Sequence, residues 1–403
     1  MTDTTTARPY RLTAPPEMVK ALLDHLRNGT TDRCADVIRL DPAIFTDPDV
    51  ARRERDGVFG RVPFIAAHRS EIPEPHDFLT KRLPRNEAII VRLADGTVRA
   101  FVNMCRHRGA TLETEAAGHC RVFSCAYHGW SYDLDGSLRN ITYADSFGDV
   151  DIDELGLVQL PCEERHGFIW VIDDPGATID VAAWLGPDTD GFLGSYGIEG
   201  LECYQAGTFE EPVNWKIMHD AFLDGYHIKF AHPHSAGRVV HTNTYVVEDY
   251  ERHARFISPR KSLDAWHDHD PAEGEAMVEH VMLTHFIGPN CTLLQLPDNF
   301  QVLTFYPISD DPFESRMEMR LLVPPRSQTD LDEERWKNKW DKNWYILQTV
   351  LAGEDFPILR GIQKAYGNSV ATPTVLGRNE LLNQAFHREI AHLRGDEPRR
   401  TGA

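Results

Sequence analysis

The spacing of apolar residues predicts a helical start to the chain. In PPEMVKALLDHLRNGT, apolar side chains recur at three- and four-residue steps, which is the repeat of one face of a helix. The stripe consists of Val19, Leu22, Leu23 and Leu26. Asn28-Gly29 is a typical helix end, so the helix is predicted to stop there.

The pattern changes to short strands near residue 60. Three apolar runs follow one another, RVPFIAAH, AIIVRL and TVRAFVN, and Asp95-Gly96 predicts a hairpin turn between the last two. RVFSCAYHGWSYDLDGSLR, with a second such turn at Asp135-Gly136, and HGFIWVID continue the strand texture to residue 173. DDPGATID then reads as a loop, and we expect a domain boundary between residues 174 and 200.

The remainder mixes strands with helices. YQAGTFEEPVNW is predicted to be a strand, and the chain turns helical from Asn214. Further strands are predicted in NTYVVEDY, MVEHVMLTHFIG, CTLLQL, FQVLTFYPI and RMEMRLLVPP. Thr329 and Asp330 are expected to cap a helix, and Gly353 to break it. Its apolar stripe, Trp336, Trp340, Trp344, Leu347 and Leu351, is expected to pack against the sheet.

These patterns predict an α+β protein with three parts. They are a helical arm (1–59), an all-β domain (60–185) and a domain of antiparallel sheet and helices (186–403). The length of 403 residues suits more than one hydrophobic core.

Composition and charge exclude some classes of partner. The formal net charge is −20 and no Lys/Arg block is present, so a nucleic-acid partner is not expected. No apolar run is long enough for a membrane span and the polar start MTDTTTARPY lacks a signal-peptide core, so we expect a cytoplasmic protein. The seven cysteines are scattered, which disfavours a disulfide framework.

Two cysteine–histidine pairs lie in predicted loops. Cys105 and His107 form C-x-H, and after seventeen residues Cys125 and His128 form C-x-x-H. Two thiolates and two imidazoles suit either a tetrahedral zinc or a [2Fe-2S] cluster in which each iron takes one kind of ligand. Spacing alone does not separate these alternatives. A zinc site usually pairs like with like, however, whereas each loop here supplies one residue of each kind.

A second group of possible ligands lies in NWKIMHDAFLDGYHIKFAH (214–232). His227 and His232 are five positions apart, so both can face one metal if the helix is irregular or ends between them. Two neutral histidines leave a ferrous ion needing an anionic oxygen ligand, and that set keeps positions open for dioxygen.

Both groups resemble one known family. CRHRGA and CAYHGW resemble the Rieske motif of the ring-hydroxylating oxygenases, and residues 214–232 resemble the iron-binding segment of the same family. As the resemblance implies, Cys105 and Cys125 would bind one iron of a [2Fe-2S] cluster, and His107 and His128 the other. The resemblance extends from about Arg61 to Gln363.

The resemblance also implies the remaining site residues. His227 and His232 would hold a mononuclear Fe(II), with Asp355 as the third ligand in preference to the adjacent Glu354. Asp224 would form a hydrogen bond across a subunit boundary to a Rieske histidine and pass electrons to the iron of the neighbouring subunit.

Other residues near these groups receive lesser roles. Asn214, Asp220 and Tyr226 are expected to support the iron segment, with simple packing or capping as the alternative. His234 is expected at the entrance of the site. Cys120 and His119 fit no ligand position.

The family implies a terminal oxygenase that takes electrons from a separate NAD(P)H-dependent reductase or ferredoxin, since the chain has no Gly-rich nucleotide motif. Its usual assembly is a ring of three catalytic subunits, with or without a small beta subunit, and the length of this chain favours a homotrimer. We expect hydroxylation of an apolar, aromatic small molecule. The alternatives are oxidative demethylation of a methylated amine or ether and, from another class, an electron carrier or zinc-stabilised binding protein.

Nine apolar residues from several predicted elements are expected around the iron. They are Phe222, Leu223, Phe230, Met282, Phe286, Leu294, Leu296, Phe300 and Phe305. Most of these are expected to be sheet core, and their spacing does not show which of them line a pocket.

Overall fold

A computed structural model of the chain describes residues 14–266, 277–370 and 372–396. These residues form two compact units, one from Arg55 to Pro187 and one built from the segments before Arg55 and after Pro187. Within these ranges, no helix is both long enough and apolar enough to cross a membrane.

The secondary structure alternates between short strands and helices. In the described residues the strands are β1 Ile38–Leu40, β2 Phe64–His68, β3 Asp77–Arg82, β4 Glu87–Arg92, β5 Val98–Val102, β6 Ala117–His119, β7 Phe123–Ser124, β8 Ser131–Tyr132, β9 Leu138–Asn140, β10 Gln159–Leu160, β11 Cys162–Arg165, β12 Phe168–Val171, β13 Glu202–Glu211, β14 Val246–Asp249, β15 His253–Pro259, β16 Val281–Ile287, β17 Cys291–Leu296, β18 Asn299–Pro307, β19 Ser315–Val323 and β20 Thr374–Leu376. The α-helices of the same ranges are α1 Pro16–Asn28, α2 Ala43–Thr46, α3 Pro48–Glu54, α4 Val181–Ser195, α5 Trp215–Asp220, α6 Ile228–Ala231, α7 Glu333–Val350, α8 Phe356–Tyr366 and α9 Leu381–Arg394.

The unit from Arg55 to Pro187 is built mainly from three small antiparallel sheets. Their strand orders are β10-β5-β4-β3-β6, β11-β12-β2 and β7-β8-β9. The predicted turns are present, with Gly96 and Gly136 at φ 86° and 91°. A Cβ at Gly136 would also lie 2.4 Å from the Phe101 ring. Both the positive φ and this close contact therefore require glycine at the turn.

The other unit is organised around one antiparallel sheet, which has seven strands among the described residues. Its order is β13-β19-β18-β17-β16-β15-β14. The sequence pattern missed β15, because His253 and Arg255 look like solvent-facing positions. Both are buried, and the Arg255 Nε donates to the Glu248 Oε2 at 2.5 Å. The α+β organisation, with strands first and a sheet with helices after, is confirmed.

The N-terminal arm is not a separate part of the structure, which corrects the expectation for residues 1–59. Helix α1 buries Val19 and Leu22 against Ile257 and Leu283 of the seven-stranded sheet. Strand β1 pairs with β20 near the C-terminus. Residues 14–54 therefore belong with the second unit, and residues 1–13 of the predicted arm lie outside the described ranges.

The helical region after β19 differs from its prediction at both ends. Helix α7 is capped by Asp332, whose side chain accepts the Arg335 backbone N–H at 2.8 Å, and not by Thr329 or Asp330. Gly353 does not end the helix, because the chain continues through a π-helical turn, Leu351–Asp355, into α8. Pro357 cannot donate a backbone hydrogen bond within a helix, which explains why the α-helical ladder is interrupted here without stopping.

Helix α5 is fixed in place by its first residues. Asn214 caps it by accepting the Lys216 backbone N–H at 3.0 Å, and its own backbone N–H donates to the Gln363 Oε1 of α8 at 2.7 Å. On the opposite side, the ring of His219 stacks on Phe305 of β18 at 4.4 Å. The helix that leads to His227 is therefore held between α8 and the sheet.

A fully buried ion group lies at the base of α5. Glu54 and Lys216 are both 0% exposed, and the Lys216 Nζ donates to the Glu54 Oε2 at 2.6 Å. The other carboxylate oxygen accepts the Arg394 Nη1 at 2.5 Å, and the Trp215 Nε1 donates to Glu54 at 3.0 Å. This carboxylate joins α3, α5 and α9.

Glu54→Gln should destabilise the protein by about 3–5 kcal/mol, because it leaves the buried Lys216 charge without its counter-ion. Urea denaturation of wild type and variant measures the difference. The exposed Glu199→Gln is the control and should change stability by less than about 0.5 kcal/mol. Equal stability of all three proteins would contradict this role for Glu54.

Candidate metal centres

The two cysteine–histidine loops have the same backbone geometry. In one, the Gly109 N–H donates to the Cys105 carbonyl at 2.9 Å and the Cys105 N–H donates to Ala110 at 2.8 Å. In the other, Gly129 donates to Cys125 at 2.9 Å, and Cys125 donates to the residue five positions later at 2.8 Å. The two glycines have φ of 75° and 72°, which explains their place beside the cysteines.

The side chains of these loops suit a cluster whose cysteine side is buried and whose histidine side is partly exposed. Cys105 and Cys125 are 2% and 3% exposed, whereas His107 and His128 are partly exposed with ring centroids 4.6 Å apart. The His107 Nδ1 is buried without a hydrogen-bond partner. A buried nitrogen of this kind is explained by a bound metal, so the four residues fit a [2Fe-2S] cluster.

Two aromatic residues, which the sequence pattern did not single out, complete this centre. The ring of Trp130 stacks on His107 at 4.7 Å and 8°, and fixes its orientation. The Tyr132 hydroxyl lies 3.3 Å from the Cys105 Sγ and accepts the Arg106 backbone N–H at 3.0 Å. Burial, followed by the contact with Cys105, raises the pKa of Tyr132, so its proton is retained. In the sequence, the two aromatic residues at positions 130 and 132, shortly after His128, could have indicated this role.

The side chains of the second group of possible metal ligands come together in the structure. Within the described part of the chain, one set of three His, Cys, Asp or Glu side chains brings possible ligand atoms within 4.8 Å of one another, namely His227, His232 and Asp355. His227 precedes α6 and His232 follows it, so the short helix places both rings on one side with centroids 5.3 Å apart. Two imidazoles and a carboxylate fit a ferrous ion.

Each of the two histidines is held by a carboxylate on its outer nitrogen. The Asp224 Oδ1 lies 3.0 Å from the His227 Nδ1 and accepts the His227 backbone N–H at 2.9 Å. The Glu354 Oε2 lies 2.6 Å from the His232 Nδ1, while the His232 Nε2 lies 3.1 Å from the Asp355 Oδ1. Glu354 and Asp355 therefore contact different nitrogens of the same ring.

The remaining predicted residues are placed as follows. Asp220 accepts the Asn383 side-chain amide at 3.1 Å and lies 2.9 Å from the His387 Nε2, two partners from α9 that the sequence did not indicate. His234 is exposed, with its Nδ1 3.4 Å from the Arg238 Nη2. His119 contacts Asp77 at 3.0 Å, and Cys120 packs on the core beneath the cluster loops.

A cavity of about 480 Å³ adjoins the three converging residues and includes His227 and Asp355 in its wall. Of the nine apolar residues expected near the iron, Phe230 lines it, whereas Phe286, Phe300 and Phe305 are fully buried in the sheet. Much of its apolar wall comes from α8, through Ile358, Leu359, Ile362 and Tyr366. The three- and four-residue spacing of these residues after Asp355 is the sequence pattern that could have indicated this wall.

Two family models match the chain. The Rieske [2Fe-2S] domain matches residues 62–159, and the ring hydroxylating alpha subunit (catalytic domain) matches residues 198–394. Together they cover more than half of the chain. The expected cofactors, a [2Fe-2S] cluster and a mononuclear iron, are the ones that these two domains bind.

Curated relatives belong to the same group. The alpha subunit of chlorobenzene dioxygenase from Cupriavidus sp. (strain PS12) is 34% identical over 202 residues, which are 47% of this chain and 43% of the relative. The oxygenase subunit of carnitine monooxygenase from Acinetobacter baumannii is 34% identical over 215 residues, or 52% of this chain and 57% of the relative. The chain thus spans about half of the length of the curated relatives that it matches.

Solved structures share the fold over most of the chain. The quaternary ammonium Rieske monooxygenase CntA has a TM-score of 0.76 at 22% identity, covering 95% of this chain and 99% of that one. Naphthalene 1,2-dioxygenase from Rhodococcus sp. has a TM-score of 0.73 at 19% identity, covering 95% and 99%. The two family models together identify the chain as a member of the Rieske non-haem iron oxygenase family, with a Rieske domain and the catalytic domain of a ring-hydroxylating alpha subunit.

Proposed function

We propose that the chain is a terminal oxygenase that hydroxylates a small apolar molecule, with aromatic compounds as the first candidates. The observation that carries this proposal is the convergence of His227, His232 and Asp355 within 4.8 Å beside a cavity. A two-histidine, one-carboxylate set leaves coordination positions open, as oxygen activation requires. An electron carrier or a zinc-stabilised binding protein would not need this second set.

The residues of the chain divide the work between the two centres. When bound, the mononuclear iron would supply oxygen activation, and the [2Fe-2S] cluster would supply electrons one at a time. Asp355 contributes the negative charge that two neutral imidazoles lack. The burial of His232 and Asp355, 5% and 6% exposed, excludes water from that side. Asp224 keeps the Nδ1 proton of His227 in place, so the lone pair of the Nε2 is left to bind the metal.

Electrons are proposed to arrive from a second copy of the chain, through Asp224. Its carboxylate lines the open cavity, whose rim exposes apolar side chains that a protein partner would cover. These are Tyr226, Phe230, Ile358 and Ile362, which are 41%, 71%, 48% and 38% exposed. Acidic Asp220, Asp224 and Glu380 share this cavity.

The cluster loops offer a surface with complementary properties. They expose Met104 and Tyr127, 38% and 59% accessible, with the Arg108 guanidinium 5.4 Å from the Tyr127 ring centroid. A basic and aromatic tip matches an acidic groove with an apolar rim. This match supports a contact between copies of the chain, as in the proposed homotrimer, and a small beta subunit remains possible.

The electron donor is proposed to be a separate NAD(P)H-dependent reductase or ferredoxin in the cytoplasm. No disulfide joins any of the seven cysteines, all of which lie in the described residues, and this suits a reducing compartment.

A second candidate is oxidative demethylation of a methylated amine. The cavity wall includes four carboxylates, Asp220, Asp224, Asp355 and Glu380, and no Lys or Arg among the described residues that line it. Phe45, Tyr226, Phe230 and Tyr366 add aromatic faces, which attract ammonium groups. One curated relative is named as a carnitine monooxygenase, an enzyme of a quaternary ammonium compound.

Substrate-stimulated oxygen consumption tests both candidates. With a reconstituted reductase, the purified protein should consume oxygen faster in the presence of a small aromatic hydrocarbon than with a methylated amine. The reverse order would favour demethylation. No stimulation by either class, with both metal centres loaded, would contradict the proposed activity.

Asp355→Ala and His232→Ala should each abolish mononuclear iron binding, because two ligands hold a ferrous ion far more weakly than three. Iron analysis should then show one iron per chain fewer than wild type, with an unchanged cluster absorption spectrum. His234→Ala, two positions from His232 but exposed, is the control and should keep its iron. A wild-type protein that contains zinc and is colourless would contradict both assignments.

At saturating Fe(II), Asp224→Asn should retain both metal centres yet slow product formation by at least about tenfold, because one of the two carboxylate oxygens is replaced by an NH2 group that cannot accept a hydrogen bond from a second histidine. Stopped-flow absorption of the cluster during turnover measures the electron transfer. Asp264→Asn removes a similar Asp–His contact, 2.8 Å to His241, at the surface and serves as the control. Wild-type turnover in Asp224→Asn would rule out the route.

A further inference from the structure

Glu354 lies beside the three converging residues without being one of them. Its Oε2 is 2.6 Å from the His232 Nδ1, on the opposite side of the ring from Asp355. The same oxygen accepts the Ser235 hydroxyl at 2.7 Å. Its side chain is 28% exposed, compared with 7% for Asp355. These contacts give the carboxylate a defined position and a task other than ligation.

The contact with Nδ1 decides which nitrogen of His232 faces the metal site. Both nitrogens of His232 face a carboxylate, so an ion bound between the Nε2 and Asp355 requires the ring proton to lie on the Nδ1, where Glu354 accepts it. The Nε2 is the atom 3.1 Å from the Asp355 Oδ1, which is the side on which an ion held by both residues would lie. An anionic acceptor on the outer nitrogen also makes an imidazole a stronger donor to a metal.

Ser235 connects this carboxylate to the turn that follows α6. The Ser235 N–H donates to the His232 carbonyl at 3.3 Å, so both contacts of Glu354 fall on one short turn. The carboxylate comes from a segment 122 positions away from His232. Glu354 therefore fastens the end of the iron segment to the helix that supplies Asp355.

The π-helical turn allows two consecutive residues to reach one ring. Glu354 and Asp355 are its last two residues. A π-helical turn contains an extra residue relative to an α-helical turn, which changes the direction of the side chains that follow. Here it brings adjacent carboxylates to the two nitrogens of His232.

We propose that Glu354 is a positioning residue of the mononuclear centre. It fixes the tautomer and the ring orientation of His232 and increases its strength as a ligand, and Ser235 holds the carboxylate in place. Glu354 does for His232 what Asp224 does for His227, at 2.6 Å and 3.0 Å respectively. The inference rests on the proposed function, since it assumes an ion at His227, His232 and Asp355.

The test measures metal affinity and not turnover. Full-length protein with a loaded cluster and an empty mononuclear site is titrated anaerobically with Fe(II) against a competing chelator. Glu354→Gln keeps an oxygen that can accept the Nδ1 proton but loses the charge, and should bind Fe(II) about 10- to 100-fold more weakly. Glu354→Ala should lose at least as much, and Ser235→Ala less.

Two controls separate positioning from general damage. Ser309 donates to the Glu314 Oε2 at 3.1 Å in an exposed Ser–Glu contact, so Glu314→Gln is the matched control and should bind Fe(II) as wild type does. The cluster absorption spectrum should be the same in every variant, because its domain is untouched. With Co(II) in place of Fe(II), the visible spectrum of Glu354→Gln should shift, which a purely structural role would not cause.

The outcomes are distinguishable. Wild-type Fe(II) affinity in both Glu354 variants would overturn this inference and leave the proposed function intact. Complete metal loss in Glu354→Gln together with full binding in Asp355→Ala would make Glu354 a ligand, and would overturn the inference in the other direction. A wild-type protein that binds no ion at this site would overturn the proposed function itself.

Discussion

The structure depends on one constraint, which is that residues 227 and 232 must meet a carboxylate from a helix more than 120 positions later. The meeting occurs at the ring of His232, with Glu354 on one nitrogen at 2.6 Å and Asp355 on the other at 3.1 Å. Local sequence supplies the two histidines through the short helix α6. The third residue depends on the whole unit, because α7, the π-helical turn and α8 must all be in register with α5 and α6.

The rest of the unit keeps this register. The Gln363 side chain accepts the backbone N–H of Asn214 at 2.7 Å, so the helix after Asp355 is joined to the start of the iron segment. Glu54 joins the same segment to the N-terminal and C-terminal helices through buried ionic contacts. The seven-stranded sheet supports α5 from the other side, through the stack of His219 on Phe305. Most of this framework has no direct contact with His227, His232 or Asp355.

The sequence predicted what is local and repetitive, and failed where tertiary contacts decide. The Asp-Gly turns, the strand-rich domain and the Cys/His loops follow from short patterns, and the structure contains them. Strand β15 was missed because the buried Arg255 resembles a surface residue until its partner Glu248 is known. Helix α7 is capped by Asp332 and not by the predicted residues, and a π-helical turn continues the helix through Gly353. Both predictions failed because neighbouring residues compete to cap or end a helix. That Glu354 and Asp355 contact different nitrogens of His232 could not be predicted from the sequence, because it depends on the position of that ring in the fold.

The matching turns around Cys105 and Cys125 have a consequence for which substitutions the two loops can accept. Each loop is closed by its own backbone hydrogen bonds, and each glycine adopts the left-handed conformation. A side chain at Gly109 or Gly129 would be strained in this conformation, and a Cβ at Gly129 would also lie 2.8 Å from the Thr142 Oγ1. The two loops are therefore constrained at these glycines as well as at the residues proposed to hold the cluster, although a glycine contributes no ligand atom.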